Sequence, residues 1–340
     1  MTPSNINIIK FCNKIADNQL TLDEIKLQIL NGIYSLDEIE ECISGSNLSM
    51  ENLDVIKSYL NFNFLFEFYD FNDFPQLLPE RTDIYVLGNY ESGKSTFLSN
   101  LFSYINNQGL CIEHTHNLIG NLYKDKLQFC FNHGFFPNEG IHFGVNYICC
   151  DLLNIQDHNQ VHPLNIIEFN YQKINLDTHV NYCIDPNSNA KQFLKNDNSK
   201  ILLFFIEYSQ NQEKIINDSQ NLVRLLQRLE QFGILARTTN INIVITKCDL
   251  FPAHLDPMEF AVTFINQNYL SFITDCKSIS TYYNGDLKIK VFPFSVGKLS
   301  FKSSFINEKN YSWTKKILDE IFSTSFYKKR TTSFFSRFFK

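Results

Sequence analysis

Residues 88–96, with the sequence Gly-Asn-Tyr-Glu-Ser-Gly-Lys-Ser-Thr, constrain the fold of this chain more than any other segment. They follow the segment 83–87, apolar after Asp83, which is typical of a buried strand, and they precede apolar residues at helical spacing. A G-x-x-x-x-G-K-S loop between a strand and a helix presents backbone N–H groups to a phosphate at the helix N-terminus. The context favours a nucleotide-binding loop over a chance match in a strand–turn–helix unit.

The residue types of this loop each suit one task. Gly88 and Gly93 allow backbone conformations that other residues resist. Lys94 would place a positive charge against the β- and γ-phosphates, and Ser95 would offer its hydroxyl to Mg²⁺. We therefore predict that Lys94 is catalytic and that Ser95 is the metal ligand. The whole predicted loop comprises Gly88, Asn89, Tyr90, Glu91, Ser92, Gly93, Lys94, Ser95 and Thr96.

A second motif indicates which base is bound. A buried apolar strand at 241–245 ends in Thr246-Lys247-Cys248-Asp249. Ligands of open α/β sheets bind at the carboxyl ends of the strands. A carboxylate such as Asp249 can accept hydrogen bonds from guanine N1–H and the 2-amino group, which adenine lacks, while the stem of Lys247 can lie over the base. On their own these residues could be an ordinary strand-end loop, but after the phosphate loop they favour guanine.

A third strand end supports the same site. The strand predicted at 288–294 ends in Ser295-Val296-Gly297, whose backbone N–H groups could meet guanine O6. Because the carboxyl ends of parallel strands share one edge of a sheet, we expect this segment to lie beside the other two motifs.

The rest of the domain alternates between strands and helices. We predict a central strand at 201–206 and helices at 217–232, 257–274 and 311–322. Long apolar strands alternating with helices predict a mostly parallel sheet covered by helices on both faces.

With these motifs in this order, residues 80–325 resemble a P-loop GTPase of the Ras-like (TRAFAC) class. The matching segments are GNYESGKS at 88–95, TKCD at 246–249 and SVG at 295–297. The resemblance implies GTP and GDP with Mg²⁺ as cofactors and in-line attack of water on the γ-phosphate, the chemistry of a molecular switch. It also implies the residues that hold the base, which are Thr246, Lys247, Asp249, Ser295 and Val296.

The third motif of that class, D-x-x-G, is missing between residues 96 and 240. The best strand for its place is 164–171, with Glu168 or Asn170 near its carboxyl end. We expect this strand to form an antiparallel hairpin with 143–152. Glu168 is therefore our candidate for the missing acidic residue.

Other departures bear on hydrolysis. The segment at 177–180, Asp-Thr-His-Val, keeps the Asp of the motif but has Val in place of Gly. Gln172 is nearby, but it does not follow a motif glycine that would set it to orient water. The alternative function is thus a pseudo-GTPase or adaptor that binds GTP without efficient turnover.

The segment between the phosphate-loop helix and the third-motif strand is enlarged. It contains two C-x-x-H pairs, so Cys111, His114, Cys130 and His133 could form a tetrahedral zinc site. We favour the alternative that the thiols are packed and the imidazoles exposed. Thr115 is the candidate for the threonine of switch I, since it is the only threonine between residues 97 and 177.

The first 75 residues predict a small all-α module. They hold four basic and twelve acidic residues, a net charge of −8, and a 14-residue repeat with capping boxes. We expect short helices at 22–30, 36–44 and 50–60, after one at 6–16. The module would either brace the domain at 76–325 or bind a protein partner. This leader and the degenerate third motif make the chain more similar to divergent bacterial GTPase-like proteins of conflict systems than to small eukaryotic switches.

Charge and composition limit the partners. A net charge of −6 argues against a protein that coats nucleic acid, and no apolar stretch could span a bilayer. Nine cysteines without a CxxC pair and no leader pattern suggest a cytoplasmic chain. The basic, Phe-rich tail at 326–340 could touch a membrane weakly, although fraying or docking on the domain is favoured. No evident intrinsic arginine finger is present, so an activating protein is expected at the helical module or the switch region.

Overall fold

The computed structural model describes residues 77–113, 117–132, 134, 136–137, 145–154, 156–157, 159–169, 196–283, 287–300 and 305–329, together with residues 10, 11, 14 and 33. Residues 10, 11 and 14 are helical, within the first predicted helix. The other predictions for the leader, those for His114, Thr115, His133 and Asn170, those for 171–195, and that for the tail beyond residue 329 lie outside the described residues.

The domain is an α/β fold built on a sheet with the strand order β2-β3-β4-β1-β5-β6-β7, and β10 pairs with β4. Strands β4, β1, β5, β6 and β7 run parallel, whereas β2, β3 and β10 are antiparallel to their neighbours. The strands are β1 Thr82–Gly88, β2 Cys111–Glu113, β3 Val145–Leu153, β4 Gln160–Phe169, β5 Ser199–Glu207, β6 Thr238–Thr246, β7 Lys288–Pro293 and β10 Lys328–Lys329. A separate hairpin joins β8 Gly297–Ser300 to β9 Phe305–Lys309.

Helices cover both faces of the sheet, as the sequence predicts. Successive residues of β1 pack into opposite cores. Ile84 and Val86 pack with the helices at 94–107, 118–132 and 312–324, whereas Tyr85 and Leu87 pack with those at 212–231, 257–268 and 270–283. This alternation is the period of two that a strand imposes. The helices are α1 Lys94–Asn107, α2 Leu118–Asn132, α3 Gln212–Gln231, α4 Pro257–Asn268, α5 Leu270–Tyr283 and α6 Ser312–Thr324. Within the described ranges, none of the helices combines the length and the apolar character that a membrane span requires.

The predicted hairpin is confirmed, and two helix predictions need correction. β3 and β4 pair antiparallel from Val145 opposite Phe169 onward. The helix predicted at 217–232 begins earlier, at Gln212, because the Asn211 side chain accepts hydrogen bonds from the first-turn N–H groups. The helix predicted at 257–274 is two helices, because Tyr269 leaves the helical conformation at φ −125° while its side chain is fully buried.

A buried ion pair lies at the edge of the sheet where β1 and β5 begin. Asp83 and Lys200 are both 0% exposed, with Lys200 Nζ 3.6 Å from Asp83 Oδ2. Asn165 and Asn198 each donate a side-chain hydrogen bond to Asp83 Oδ1, at 2.8 and 2.9 Å. Burial raises the pKa of Asp83 and lowers that of Lys200, while their mutual attraction opposes both shifts. The network joins three neighbouring strands and the residue that precedes β5.

The first residues of the predicted tail belong to the sheet. Lys328 and Lys329 pair with β4, and the N–H of Phe326 donates to Thr82 Oγ1 at 2.9 Å. Lys328 also forms an ion pair with Glu80 at 3.0 Å. Residues 326–329 therefore lie against the domain through their backbone and Lys328, while the side chain of Phe326 is exposed.

His162 on β4 lies beneath this docked segment and supplies a pH test. Its Nδ1 is 2.8 Å from Ser325 Oγ, its ring stacks on Phe322, and burial lowers its pKa to about 4. Between pH 6.5 and about 4 the unfolded chain binds a proton that the folded protein does not, so stability falls as pH falls. We expect a loss of up to about 3 kcal/mol across this window. Urea unfolding at several pH values measures it.

The matched variant for this test is His162→Gln, which keeps a polar side chain but does not titrate. Its free energy of unfolding should change less than that of the wild type between pH 6.5 and 4. If the free energy of unfolding changes equally with pH in the two proteins, His162 does not cause the acid sensitivity.

Candidate functional site

The loop predicted to bind phosphate joins β1 to α1 at the carboxyl edge of the sheet. Gly93 precedes the first residue of α1 with φ +89°, and among the described residues no side chain caps this helix. The first turn of a helix carries N–H groups that need partners, and its dipole favours an anion. The helix start is therefore suited to a phosphate.

Lys94 is folded back over the loop. Its Nζ donates to the carbonyl oxygens of Asn89 at 2.7 Å and Gly88 at 3.1 Å, and its side chain is largely buried. A largely buried ammonium beside carbonyl oxygens is placed to gain from a nearby negative charge. Among the other predicted members, Tyr90 and Glu91 are exposed, and Thr96 is half-buried in the first turn of α1.

Two neighbouring elements hold the loop in place. Asn89 donates through its side chain to Asp218 on α3 at 2.5 Å. Thr246 donates from its hydroxyl to the carbonyl oxygen of Ser92 at 3.0 Å. The second contact joins the predicted phosphate loop to the predicted base motif, so the structure brings residues 154 positions apart into direct contact.

Glu168, the candidate acidic residue, lies beside Ser95. It is opposite Val86 in the parallel β1–β4 pair, which places it near the start of α1. Ser95 Oγ donates to Glu168 Oε1 at 2.8 Å, and Glu168 is 5% exposed. Tyr123 and Asn146 donate to its other oxygen. The sequence does not single out Tyr123 and Asn146, because Tyr123 stands in an apolar helix pattern and Asn146 in a strand that is buried over six successive residues.

The Ser95 and Glu168 pair fits a magnesium ion. A hydroxyl and a carboxylate are hard oxygen donors, and Mg²⁺ usually takes one or two protein ligands together with phosphates and water. Within the described ranges no group of three or more His, Cys, Asp and Glu side chains could hold a metal. Ser95 and Glu168 therefore suit a metal ion whose remaining ligands are phosphate oxygens and water.

The proposed zinc ligands are described only in part. Cys130 is buried in α2, and Cys111 on β2 hydrogen-bonds with the thiol of Cys150. The thiol of Cys130 is thus packed in the core, whereas that of Cys111 is half-buried. The two histidines of the predicted site, His114 and His133, lie outside the described residues.

The predicted base motif follows β6. Lys247 adopts a left-handed conformation at φ 59°, and the Asp249 carboxylate is exposed in the short turn that follows. Lys247 Nζ lies 2.5 Å from Glu207 Oε1, and Lys214 lies 2.5 Å from the other oxygen of the same carboxylate. Burial acts to raise the pKa of Glu207, but the two lysines hold it below its usual value. Glu207 thus tethers Lys247 from the end of β5.

The third predicted segment lies next to this motif. The N–H of Cys248 donates to the carbonyl of Phe294 at 3.1 Å, and the Ser295 hydroxyl hydrogen-bonds with the Cys248 thiol, whose pKa burial raises to about 11. Val296 is buried, and its carbonyl accepts from the N–H of Asn310 at 2.8 Å. The segments that follow β6 and β7 are therefore in direct contact, as the sequence predicts.

Gly93 offers a test of the loop geometry. A Cβ at this position would lie 3.0 Å from Thr246 Cγ2, and the backbone conformation at φ +89° is strained for other residues. We expect Gly93→Ala to lower the free energy of unfolding by about 1–3 kcal/mol and also to weaken phosphate binding. Thermal unfolding and a calorimetric titration with nucleotide measure the two effects.

Gly109 provides the matched control. It also has a positive φ, of +63°, but a Cβ there would meet nothing within 4 Å. Gly109→Ala should therefore cost stability without altering nucleotide affinity. Equal affinity in both variants would contradict the assignment of the Gly93 loop.

Comparisons with known proteins give structural likeness only. No family model matches the chain, and no characterised protein is significantly similar to it in sequence. Among solved structures, it is similar to Toc33 from Arabidopsis thaliana in complex with GDP and Mg²⁺, at 15% identity and a TM-score of 0.35, over 71% of this chain and 82% of that one. It is also similar to the signal recognition particle receptor SRb-GTP/SRX complex from Chaetomium thermophilum, at 11% identity and a TM-score of 0.35, over 66% and 94%.

Proposed function

We propose that this protein binds GTP and GDP with Mg²⁺ at the carboxyl edge of the sheet and hydrolyses GTP as a molecular switch. One observation carries the proposal: Thr246 of the base motif donates a hydrogen bond to Ser92 of the phosphate loop. Two motifs that are far apart in the sequence are thereby in direct contact, so one nucleotide could meet the phosphate loop with its phosphates and the base motif with its guanine.

The phosphate end combines fixed dipoles with one charge. The N–H groups at the start of α1 and the ammonium of Lys94 would bind the β- and γ-phosphates, and Lys94 would exchange the carbonyls of Gly88 and Asn89 for phosphate oxygens. Ser95 would hold Mg²⁺, with Glu168 beside it. When bound, the metal neutralises charge that develops on the phosphates.

The base end would select guanine through hydrogen bonding. The exposed carboxylate of Asp249 is an acceptor for N1–H and the 2-amino group, and it has no competing hydrogen-bond donor among the described residues. Lys247, held by Glu207, would cover one face of the base with its alkyl stem. A site built to accept two hydrogen bonds discriminates strongly against a base that cannot donate them.

A second candidate function is GTP binding without efficient turnover. The sequence from Glu168 reads Glu-Phe-Asn-Tyr, so Tyr171 stands where D-x-x-G has the glycine whose N–H meets the γ-phosphate. Tyrosine has a Cβ and a bulky ring at a place that requires close approach of the backbone. This substitution favours slow hydrolysis while leaving the other contacts of the site in place.

Titration calorimetry with GTP, GDP and ATP tests the binding proposal. We expect GTP and GDP to bind in Mg²⁺ and ATP to bind much more weakly. A protein that binds none of the three, or that prefers ATP, would exclude the proposed function. Single-turnover hydrolysis of labelled GTP then separates the enzyme from the non-hydrolysing binder.

The segments outside the nucleotide site are the candidates for contact with partners. We propose a cytoplasmic protein that meets a protein partner or activator through residues 1–75 or through the segment between α1 and β3. Because residues 326–329 dock on the domain, any weak membrane contact is assigned to residues 330–340. The acidic leader and the replacement of D-x-x-G by Glu168 support a place among divergent bacterial GTPase-like proteins of conflict systems, within the Ras-like class.

A further inference from the structure

The two oxygens of Glu168 are held by different parts of the protein. Oε1 accepts from Ser95 Oγ at 2.8 Å. Oε2 accepts from the Tyr123 hydroxyl at 2.6 Å and from Asn146 Nδ2 at 3.2 Å. A buried carboxylate needs such donors, and with two of them on Oε2 the side chain has a defined rotation. Oε1 is thereby directed at the residue that would hold the metal.

The donors on Oε2 come from rigid elements. Asn146 is on β3 directly opposite Glu168 in the β3–β4 hairpin. Tyr123 is on α2 and is 1% exposed. Both donors therefore occupy fixed places, and neither depends on an exposed side chain.

The first turn of α2 is fastened to β3. Asn117 donates from Nδ2 to the carbonyl of Tyr147 at 2.8 Å, and its Oδ1 accepts from the N–H of Gly120 at 3.1 Å. A Cβ at Gly120 would lie 2.1 Å from that same carbonyl, so only glycine allows this approach. Tyr123 lies three residues further on, on the same side of the helix. The position of its hydroxyl is therefore set by the contact between α2 and β3.

Glutamate needs this support more than aspartate would. Its side chain has one more rotatable bond, so an unsupported glutamate could turn its carboxylate away from Ser95. Groups that orient a metal-site carboxylate through hydrogen bonds usually contribute to metal affinity although they do not touch the metal.

We propose that Tyr123 and Asn146 are positioning residues for magnesium, which hold Glu168 so that Oε1 faces the metal at Ser95. This inference rests on the proposed binding of guanine nucleotide with Mg²⁺. It makes α2, through Tyr123, part of the metal site without being a ligand.

The test is the Mg²⁺ dependence of GDP binding in Tyr123→Phe, which loses only the hydroxyl. GDP affinity is measured by calorimetry in EDTA and across a series of Mg²⁺ concentrations. We expect unchanged affinity in EDTA and a rise of about tenfold in the Mg²⁺ concentration that gives the half-maximal effect. Asn146→Ala should shift the midpoint in the same direction by less, since its hydrogen bond is longer.

Tyr147→Phe is the matched control. Tyr147 is also a buried tyrosine, and its hydroxyl donates to Asn165 Oδ1 at 3.0 Å, away from Glu168. Its variant should lose stability while keeping the wild-type Mg²⁺ midpoint. A shift of the same size in Tyr147→Phe would show a general loss of packing and would overturn the proposal.

Failure of the inference and failure of the proposed function give different results. If the wild type does not bind GDP at any Mg²⁺ concentration, the proposed function is wrong and the inference falls with it. If the wild type binds GDP with Mg²⁺ and both Tyr123→Phe and Asn146→Ala keep its midpoint, only the positioning role is wrong. Should Tyr123→Phe fail to fold, Asn146→Ala alone decides by the same measurement.

Discussion

Lys94→Ala should lower the affinity for GTP by more than about tenfold while the fold persists. A charge-assisted hydrogen bond to phosphate contributes about 1.5–3 kcal/mol, which corresponds to roughly 10–150-fold in the dissociation constant. The ammonium now rests on the carbonyls of Gly88 and Asn89, so its removal also relieves a buried charge. The loss should therefore appear in binding more than in stability.

Calorimetric titration with GTP, together with thermal unfolding, measures both quantities. Lys288→Ala is the control, because Lys288 is exposed at the start of β7, at the opposite edge of the sheet. Its affinity should equal that of the wild type. Unchanged GTP affinity in Lys94→Ala would show that the loop does not bind the phosphates through Lys94.

Asp249→Asn should change the base preference of the site from guanine to xanthine. The new NH₂ group would face the guanine 2-amino group, donor against donor, leaving buried polar groups without partners. Such mispairing can cost several powers of ten in discrimination. Xanthine has a carbonyl where guanine has the amino group, so it can accept from the new NH₂. GTP should therefore bind more weakly and XTP more tightly, with ATP poor in both proteins.

Competition among the three nucleotides in the wild type and the variant measures the change. Asp197→Asn makes the same chemical change at a side chain that is 92% exposed, next to Arg237 at the other edge of the sheet. It should leave the order of preference intact. A wild type that prefers ATP, or a variant that keeps its preference for GTP, would mean that residues 246–249 are an ordinary loop.

The sequence predicts those parts of the molecule that repeat a local pattern. Apolar strands of five to seven residues and a loop of fixed spacing identify β1, α1 and β6 without any tertiary information. Glu168 could be singled out because it stands at the end of the strand that best suits the missing D-x-x-G motif, and the observed register places it opposite Val86. The hydrogen bond between Glu168 and Ser95 could not be predicted, because it depends on the register of β1 and β4.

Two kinds of feature could not be predicted from the sequence. They are the roles of polar residues inside apolar patterns and the contacts between distant strand ends. Tyr123 counts as apolar in a helix pattern, and only the packing of α2 on β3 turns its hydroxyl toward Glu168. Glu207 ends an apolar strand, and its contact with Lys247 depends on the pairing of β5 with β6. The break at Tyr269, whose ring is fully buried, falls inside an apolar pattern that predicts one continuous helix.

The buried pair of Asp83 and Lys200 restricts the substitutions this chain can accumulate. Losing one member alone leaves the other as an uncompensated charge in the interior, whereas replacing both by apolar residues of similar size can be tolerated. A single substitution in the pair is therefore selected against. The same constraint extends to Asn165 and Asn198, which donate hydrogen bonds to the same carboxylate. In diverging copies of this gene, we expect these four positions to be kept together or exchanged together.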